Sequence, residues 1–492
     1  MVDKLTAFRI NETYSKLVGP EYLIRELQDK FTFYVKNYQH MPKVRNKLWD
    51  GKVRLLTDAG RIYNGLLIDV EKYCKENDVY FETTNKPDFQ ISMAEVIDFV
   101  MSLKSHVPHE HQLRAIAKVL RKRRVLLLSP TSSGKSFIAY VIHRFLARQK
   151  KKGLLIVPTI NLLTQMKKDF EDYSTQNGYD VDNNVHMVSS GIDPNSSKSL
   201  IITTWQSMLK MPEKWFNQFD YVIGDEAHSF KANEIKKIME NATNADYRIG
   251  MTGTTDDMEM HELVLQGLFG EKVSYIKTHE MIEQGLASQL LIRTIVLDWG
   301  QQYHKNTELK KLTFQGEQSL ISKNLKRNKF IINLTGSLNG NVLVLFKYIE
   351  HGKDLYRVIK KKFPNRKVFF IAGEISGSER EDIRQQVMNE TDAIIVASEG
   401  TYATGVNIPN LKFLILALAG KAKIKLLQGI GRILRKSEGK DISEVFDIGD
   451  DFSYHNKKGE VQRLNLALQH AIEREKIYRK EKFNVKQYRV NL

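Results

Sequence analysis

The sequence predicts an α/β protein: two tandem domains built on parallel sheets, preceded by a small α+β unit. Three observations predict it. Short apolar runs recur between residues 125 and 447, each closed by small or polar residues and followed by helical spacing, and strands alternating with helices make parallel sheets. A Gly-Lys-Ser loop follows the first run, whereas the second series, from Leu290 onward, carries none. The opening hundred residues lack that βα rhythm. The expected divisions are residues 1–105, 106–288 and 289–492.

A chain of 492 residues suits about three domains of roughly 150 residues each. Its 42% hydrophobic and 27% charged residues are those of an ordinary globular protein, and no apolar run approaches the roughly 20 residues that span a bilayer. The start, MVDKLTAFRINETY, has no signal-peptide core. A cytoplasmic protein is expected, in the host cytoplasm if the source is viral. Cys74 is the only cysteine, which excludes an internal disulfide and a cysteine-cluster zinc site. The net charge of +17 points to a polyanion, because clustered Lys and Arg release condensed counterions from nucleic acid. A solubilising surface excess is the alternative.

In residues 1–105, residues 5–10 and 31–35 alternate like strands, and residues 21–30 have helical spacing after Gly19-Pro20. Residues 37–56, NYQHMPKVRNKLWDGKVRLL, place Tyr38, His40 and Trp49 among Lys43, Arg45, Lys47, Lys52 and Arg54. Basic residues interleaved with rings suit a phosphate-tracking surface on which Trp49 stacks or wedges. Trp49-Asp50-Gly51 equally suits a turn whose Trp packs a small core.

Gln112 precedes the Gly-Lys-Ser loop on an amphipathic stretch and is placed to pair with adenine; a solvated helix residue is the plain alternative. His109 and His111 lack further ligands for a metal. Residues 125–136, VLLLSPTSSGKS, read as a doubly buried strand, a tight loop and a helix start. Unpaired N–H groups and the macrodipole there favour an anion. This puts Ser132, Ser133 and Gly134 at phosphates, with Lys135 reaching the β/γ-phosphates of ATP and the Ser136 hydroxyl holding Mg²⁺. Ser129 stands where the P-loop pattern has Gly.

Residues 153–166 and 199–207 repeat the strand-into-turn pattern, and a third strand ends in Asp225-Glu226-Ala227-His228. Ligands bind at the carboxyl ends of such strands. Asp225 is therefore placed to hold Mg²⁺ and Glu226 to orient and deprotonate the attacking water, with His228 as a coupling residue. An N-cap role for the acidic pair is the alternative. Residues 248–254, RIGMTGT, end another strand in small hydroxyl residues, and residues 284–289 read as a linker.

The second series has strand-like residues 341–348, 367–372, 392–398, 413–417 and 444–447. After them stand a loop at residues 400–410 and QGIGRILR at residues 428–435. Gln428, Arg432 and Arg435 share one helical face, a fork of donors suited to the charge developing on a γ-phosphate. From Gly459 the tail reads as a charged, mostly helical pattern, including Arg474, Lys486 and Arg489, that is solvated, braces the second domain or touches a phosphate backbone.

SPTSSGKS, VPT at residues 157–159, TTWQS, DEAH, TGT, Gly405 with Asn407, and QGIGRILR, in this order, resemble the motif set of superfamily 2 helicases and translocases. LWDGKVRLL and the closing EKFNVKQYRVNL extend the resemblance to UvsW-like bacteriophage recombination helicases over nearly the whole length. The resemblance implies two RecA-like domains with ATP between them, and nucleic-acid-stimulated ATP hydrolysis on branched DNA (forks, Holliday junctions and RNA–DNA loops) in recombination, repair and replication, by a monomer. It assigns Gln112 to adenine, Thr252 and Thr254 to coupling, Gly405 and Asn407 to nucleotide, and Gln428, Arg432 and Arg435 to a sensor and arginine fingers. Thr159, Gln165, Thr204, Gln206, Phe346, Gly373 and Arg380 match positions lining the nucleic-acid track. Two departures are Glu110-His111, where an aromatic often stacks on adenine, and Gly377 in place of Gln. Competing readings are a duplex translocase or remodeller that does not separate strands, and a non-catalytic nucleic-acid scaffold. A DEAH-type RNA helicase fits less, since few residues follow Arg435.

Overall fold

The computed structural model describes residues 3–35, 37–189, 191–229, 232–253, 259–373, 375, 377–403, 408–420, 423–437 and 439–492. The chain divides into two compact units, Met1–Ile276 and Lys277–Leu492.

The first unit contains a small sheet with spatial order Arg61–Tyr63, Tyr14–Val18, Lys4–Arg9, Tyr80–Thr83. Lys4–Arg9 pairs antiparallel with Tyr14–Val18 and parallel with Tyr80–Thr83. Helices Glu21–Lys30 and Leu67–Glu76 add Leu23, Leu27, Val70 and Cys74 to its core. Thr32–Tyr34 and Lys52–Arg54 form a separate antiparallel ribbon.

The large sheet of this unit has seven parallel strands, in the order Glu271–Ser274, Arg124–Leu128, Tyr247–Thr252, Tyr221–Gly224, Gly153–Val157, Leu200–Thr204, Val185–Val188. Tyr221–Gly224 and Gly153–Val157, at its centre, are buried along their whole length.

Residues 1–105, which the sequence sets apart, share a core with this sheet. Leu66 and Leu67 cluster with Leu126, Val264, Leu268 and Phe269. A Cβ at Gly65 would lie 2.1 Å from the Gln266 carbonyl oxygen, so no larger residue fits there. Arg248 is wholly buried and donates to Thr13 Oγ1 at 2.8 Å and to the carbonyls of Met239 (2.8 Å), Ala242 (2.6 Å) and Ala245 (3.2 Å). Arg124, which opens the P-loop strand, donates to Glu12 Oε2 at 2.7 Å.

The second unit is again a seven-stranded parallel sheet, in the order Val368–Ile371, Ile394–Ser398, Val342–Phe346, Phe413–Leu416, Ile442–Asp451, Gln289–Asp298, Asn484–Asn491. The supposed linker is seated in it: the Ser288 and Gln289 N–H groups each donate over 2.9 Å, to Leu434 O and Asp441 O. The tail departs from its helical reading. Helix Leu466–Lys480 is followed by an edge strand, Asn484–Asn491, on which Lys486 and Arg489 lie. Arg474 is not on the surface, where a phosphate backbone could reach it; it is 1% exposed and donates from Nε to Asp447 Oδ2 at 2.9 Å, with Tyr478 Oη on the same carboxylate at 2.7 Å. Arg327 and Asp450 form a second wholly buried pair at 2.8 Å. No helix among the described residues is long and apolar enough to cross a membrane.

Candidate nucleotide site and nucleic-acid track

The loop between strand Arg124–Leu128 and helix Lys135–Arg148 turns twice through left-handed backbone, at Ser132 (φ +70°) and Gly134 (φ +84°). Only glycine fits at the second: a Cβ would stand 2.1 Å from Gln112 Nε2. Ser129, at the position where the pattern has Gly, lies 2.6 Å from Ser133 by hydroxyl to hydroxyl, and Ser133 Oγ donates to Pro130 O at 2.7 Å. Two serines thus brace the loop that a glycine would leave free.

Gln112 Nε2 donates to Ser133 O at 3.0 Å, and its Oε1 accepts from the His109 N–H at 2.9 Å. His111 Nε2 meets the same Ser133 carbonyl at 3.0 Å. Burial pushes the His111 pKa down, which favours its neutral form. One lone pair and one N–H of the Gln112 amide remain for a base edge.

Lys135 Nζ lies 3.2 Å from Glu226 Oε1 and 3.3 Å from Ser129 O. Glu226 adopts left-handed backbone (φ +49°), unusual for a non-glycine residue and found at strained functional turns. Asp225 Oδ1 and Glu226 Oε2 are buried and accept no hydrogen bond among the described residues. Burial and the adjoining Glu226 charge push Asp225 well up from the usual carboxylate range. Burial opposes the Glu226 charge too, but the Lys135 ammonium and His228 outweigh it and hold that carboxyl down. His228 Nδ1 is hydrogen-bonded to Thr252 Oγ1 and stands 3.6 Å from Glu226 Oε2. The acidic motif and the Thr252 turn are therefore joined through one imidazole. Thr254 lies outside the described residues.

The Ser136 hydroxyl meets Tyr173 Oη at 2.8 Å. No cluster of three His, Cys, Asp or Glu side chains suited to a metal occurs among the described residues. The oxygen donors of Ser136 and Asp225, with an orphaned carboxylate oxygen, fit a small hard cation such as Mg²⁺, which binds by one or two protein oxygens and takes the rest from phosphates and water.

Along the expected nucleic-acid track, Thr159 caps helix Ile160–Ser174, its Oγ1 accepting from Leu162 N–H at 3.3 Å. Thr204 is buried, its hydroxyl 3.1 Å from that of Ser207. Gln165 and Gln206 are exposed. In the second unit Phe346 is wholly buried and stacks on Phe370 at 5.6 Å, so its ring reaches no ligand; Lys347 and Tyr348, next along the chain, are exposed. Gly373 is exposed, and Arg380 Nε donates to Ile375 O at 3.0 Å. Trp49 is half-buried, with Nε1 donating to Lys52 O at 3.0 Å to close its own turn. The large apolar side chains exposed in and beside that segment are Leu48, 77% exposed, and Tyr34. Tyr38 stacks on Tyr34 at 4.6 Å.

Gln428 and Arg432 are half-buried on helix Lys423–Ile433. Arg435 lies beyond its end, not on the shared helical face the spacing suggests. Gly405 and Asn407 lie outside the described residues. Sequence reasoning missed Lys440. It is 6% exposed, and its Nζ donates to Ile433 O (2.5 Å), Arg435 O (2.8 Å) and Pro409 O (2.9 Å). A cation closing a helix C-terminus satisfies orphan carbonyls; its one sequence signal is a lysine shortly after the helix. Burial and the Arg435 charge push its pKa down to about 7.

A P-loop whose lysine pairs with a strand-terminal glutamate, together with a second parallel-sheet unit bearing an arginine helix, defines the class: ATP-hydrolysing superfamily 2 helicases with tandem RecA-like domains. Family profiles match residues 9–83 (DNA helicase UvsW, N-terminal), 105–257 (Type III restriction enzyme, res subunit) and 326–437 (Helicase conserved C-terminal domain). The chain is 32% identical to the ATP-dependent DNA helicase uvsW of Enterobacteria phage T4, over 96% of each chain. It is 24% identical to the DNA 3'-5' translocase XPB2 of Sulfurisphaera tokodaii, over 78% of this chain and 90% of that one. The crystal structure of T4 UvsW matches with 30% identity, 99% coverage of each chain and a TM-score of 0.51. The chain belongs to the UvsW family of ATP-dependent DNA helicases.

Proposed function

We propose that this helicase acts on branched DNA (forks, Holliday junctions and R-loops with their RNA–DNA hybrid) in recombination, repair and replication, as a monomer in the cytoplasm of its host. The observation that carries this reading is the ribbon Thr32–Tyr34/Lys52–Arg54 with its loop, which presents Tyr34, Lys43, Arg45, Lys47 and Leu48 to solvent. It belongs to the same compact unit as the P-loop sheet. Exposed basic residues around an apolar tip suit a branch point, where phosphates flank an unstacked base pair.

In this reading Gln112 holds adenine, Ser132, Ser133, Gly134 and Lys135 hold the phosphates, and Ser136 and Asp225 would hold Mg²⁺, which would neutralise phosphate charge. ATP draws Lys135 away from Glu226. The freed Glu226 carboxylate then orients the attacking water and accepts its proton. Gln428, Arg432 and Arg435, with Gly405 and Asn407, complete the site from the second domain, and hydrolysis releases them. His228 and Thr252, with Thr254, pass nucleotide state to Thr159, Gln165, Thr204 and Gln206, while Gly373, Arg380 and the backbone at Phe346 grip DNA from the second domain. Contacts that differ in affinity between the two states move the protein along its strand.

The relative named as a translocase favours a second reading, movement on duplex DNA without strand separation. Unwinding rates on a forked duplex, a four-way junction and an R-loop, beside a triplex-displacement assay, separate the two. The branched-DNA reading expects faster displacement on all three than on a blunt duplex, and a selective loss with Leu48→Asp. Triplex displacement without strand separation would replace it with the second reading.

A further inference from the structure

The second unit carries two additions at the carboxyl ends of its strands Gln289–Asp298 and Ile442–Asp451: a loop through residues 305–311, and a hairpin of Tyr454–His455 with Val461–Arg463. Both strands belong to the same parallel sheet as Val342–Phe346. The additions therefore rise from the sheet edge that also presents Lys347 and Tyr348.

Six cations on them are exposed: Lys305, Lys310, Lys311, Lys457, Lys458 and Arg463. Two exposed acids oppose them, Glu308, which lies 3.4 Å from Lys311, and Glu460, which takes the Asn456 amide at 2.7 Å. Lys457 and Lys458 make no ion pair among the described residues. The surface is pre-formed. Asn456 Oδ1 accepts from the N–H groups of Lys458 and Glu460, each at 2.9 Å, and Gly459 turns through φ +82°. His455 stacks on His304 at 4.2 Å, and His304 bridges Ser453 O and Asp298 Oδ1, each at 2.8 Å, which fastens the hairpin to both strand ends.

The hairpin's Tyr454 and the nearby Phe314 are covered, and the exposed Tyr348 lies outside both additions. Lys310 Nζ sits 4.9 Å over Tyr454, and Phe314 lies between Lys347 at 5.4 Å and His470 at 4.4 Å. Single strands are held by grooves with ring faces open for stacking bases. A cationic ribbon whose Tyr454 ring is occupied instead matches phosphates, independently of sequence. A duplex offers twice the phosphate density of one strand, and a two-stranded ribbon is of a size to enter its major groove.

We propose that the hairpin through residues 454–463 and the loop through residues 305–311 form a second DNA contact, outside the motif track, that grips the phosphate backbone of a duplex arm. It rests on the branched-DNA reading only in taking the substrate to contain a duplex arm.

The test measures affinity of the full chain for a forked DNA and for a short single-stranded oligonucleotide across salt concentration, with Lys457→Ala/Lys458→Ala and, separately, Lys310→Ala/Lys311→Ala. Every phosphate that the protein no longer neutralises lowers the slope of log K against log salt by about 0.9, so each double variant drops the fork slope by roughly 2 and weakens fork binding about tenfold or more at 0.1 M salt. Single-strand affinity and ATPase stimulated by that oligonucleotide stay at wild-type values. An unchanged fork slope in both variants overturns the proposal, as does an equal loss on the single strand. Failure of the wild type to prefer branched over blunt DNA would sink the branched-DNA reading while leaving this slope difference to be read on any duplex.

Discussion

Glu12→Gln is the perturbation that most sharply probes how the N-terminal segment is joined to the ATP-binding sheet. Glu12 and Arg124 face each other at 2.7 Å with side chains only 8% and 16% exposed, and Arg124 Nη1 is buried with no hydrogen-bond acceptor among the described residues. Removing one partner of such a pair strands the other charge, at a cost of about 3–5 kcal/mol when fully buried. Glu12 also meets Arg9 and Lys86, whose side chains are 25% and 46% exposed, so solvent recovers part and about 2–3 kcal/mol is expected. Glu12→Leu/Arg124→Met replaces both charges by apolar groups and should return most of that, giving a coupling of about 1.5 kcal/mol or more. Urea unfolding of the full chain, followed by hydrogen exchange of strand Arg124–Leu128, isolates the first unit. Losses below about 0.5 kcal/mol that simply add in the double variant would refute the claim that a charge pair fastens the N-terminal segment to the P-loop strand. Deleting residues 1–105 would remove Glu12 from Arg124 and Thr13 from Arg248, so point variants in the ribbon test substrate recognition where truncation would test folding.

Other outcomes follow from single sites. His143 is wholly buried between Tyr221 Oη at 2.7 Å and Tyr179 Oη at 2.6 Å; burial, then Arg144, pushes its pKa down to about 3. Its unfolded value is near 6.5, so its contribution is complete above that pH and is lost as pH falls toward 3, by about 2 kcal/mol at pH 5, and His143→Gln should flatten this part of the pH–stability curve in urea titrations. Lys440→Met leaves three carbonyls without their cation; kcat for ATP should fall about tenfold with little change in DNA affinity, and Lys440→Arg should restore part of it. Tyr173→Phe removes the partner of the Ser136 hydroxyl, and the Mg²⁺ concentration for half-maximal binding of a fluorescent ADP should rise several-fold.

Where both faces of a strand are covered, the sequence reads plainly: VLLLS, GLLIV, VLVLF and FLIL are continuous apolar runs. Of the edge strands of the two large sheets, the apolar Val368–Ile371 reads as plainly, but the other three do not. Val185–Val188, Glu271–Ser274 and Asn484–Asn491 are partly exposed and mix polar with apolar residues, so the last of them looks like the continuation of a charged helix. Arg474 reads as solvated because nothing local announces that Asp447, on a distant strand, stands opposite it. The same holds for Phe346, whose burial depends on Phe370 and on Gly352 packing beneath it. The P-loop was legible because strand, loop and helix are contiguous there. Lys440 was not, since its role depends on carbonyls gathered from Pro409, Ile433 and Arg435.

The most direct test is paired measurement of ATP affinity and DNA-stimulated turnover for Arg435→Ala. A guanidinium that meets only the developing γ-phosphate charge predicts affinity within a few-fold of wild type and turnover slower by about 10³ or more. Unchanged turnover would contradict the proposed arginine-finger role of Arg435.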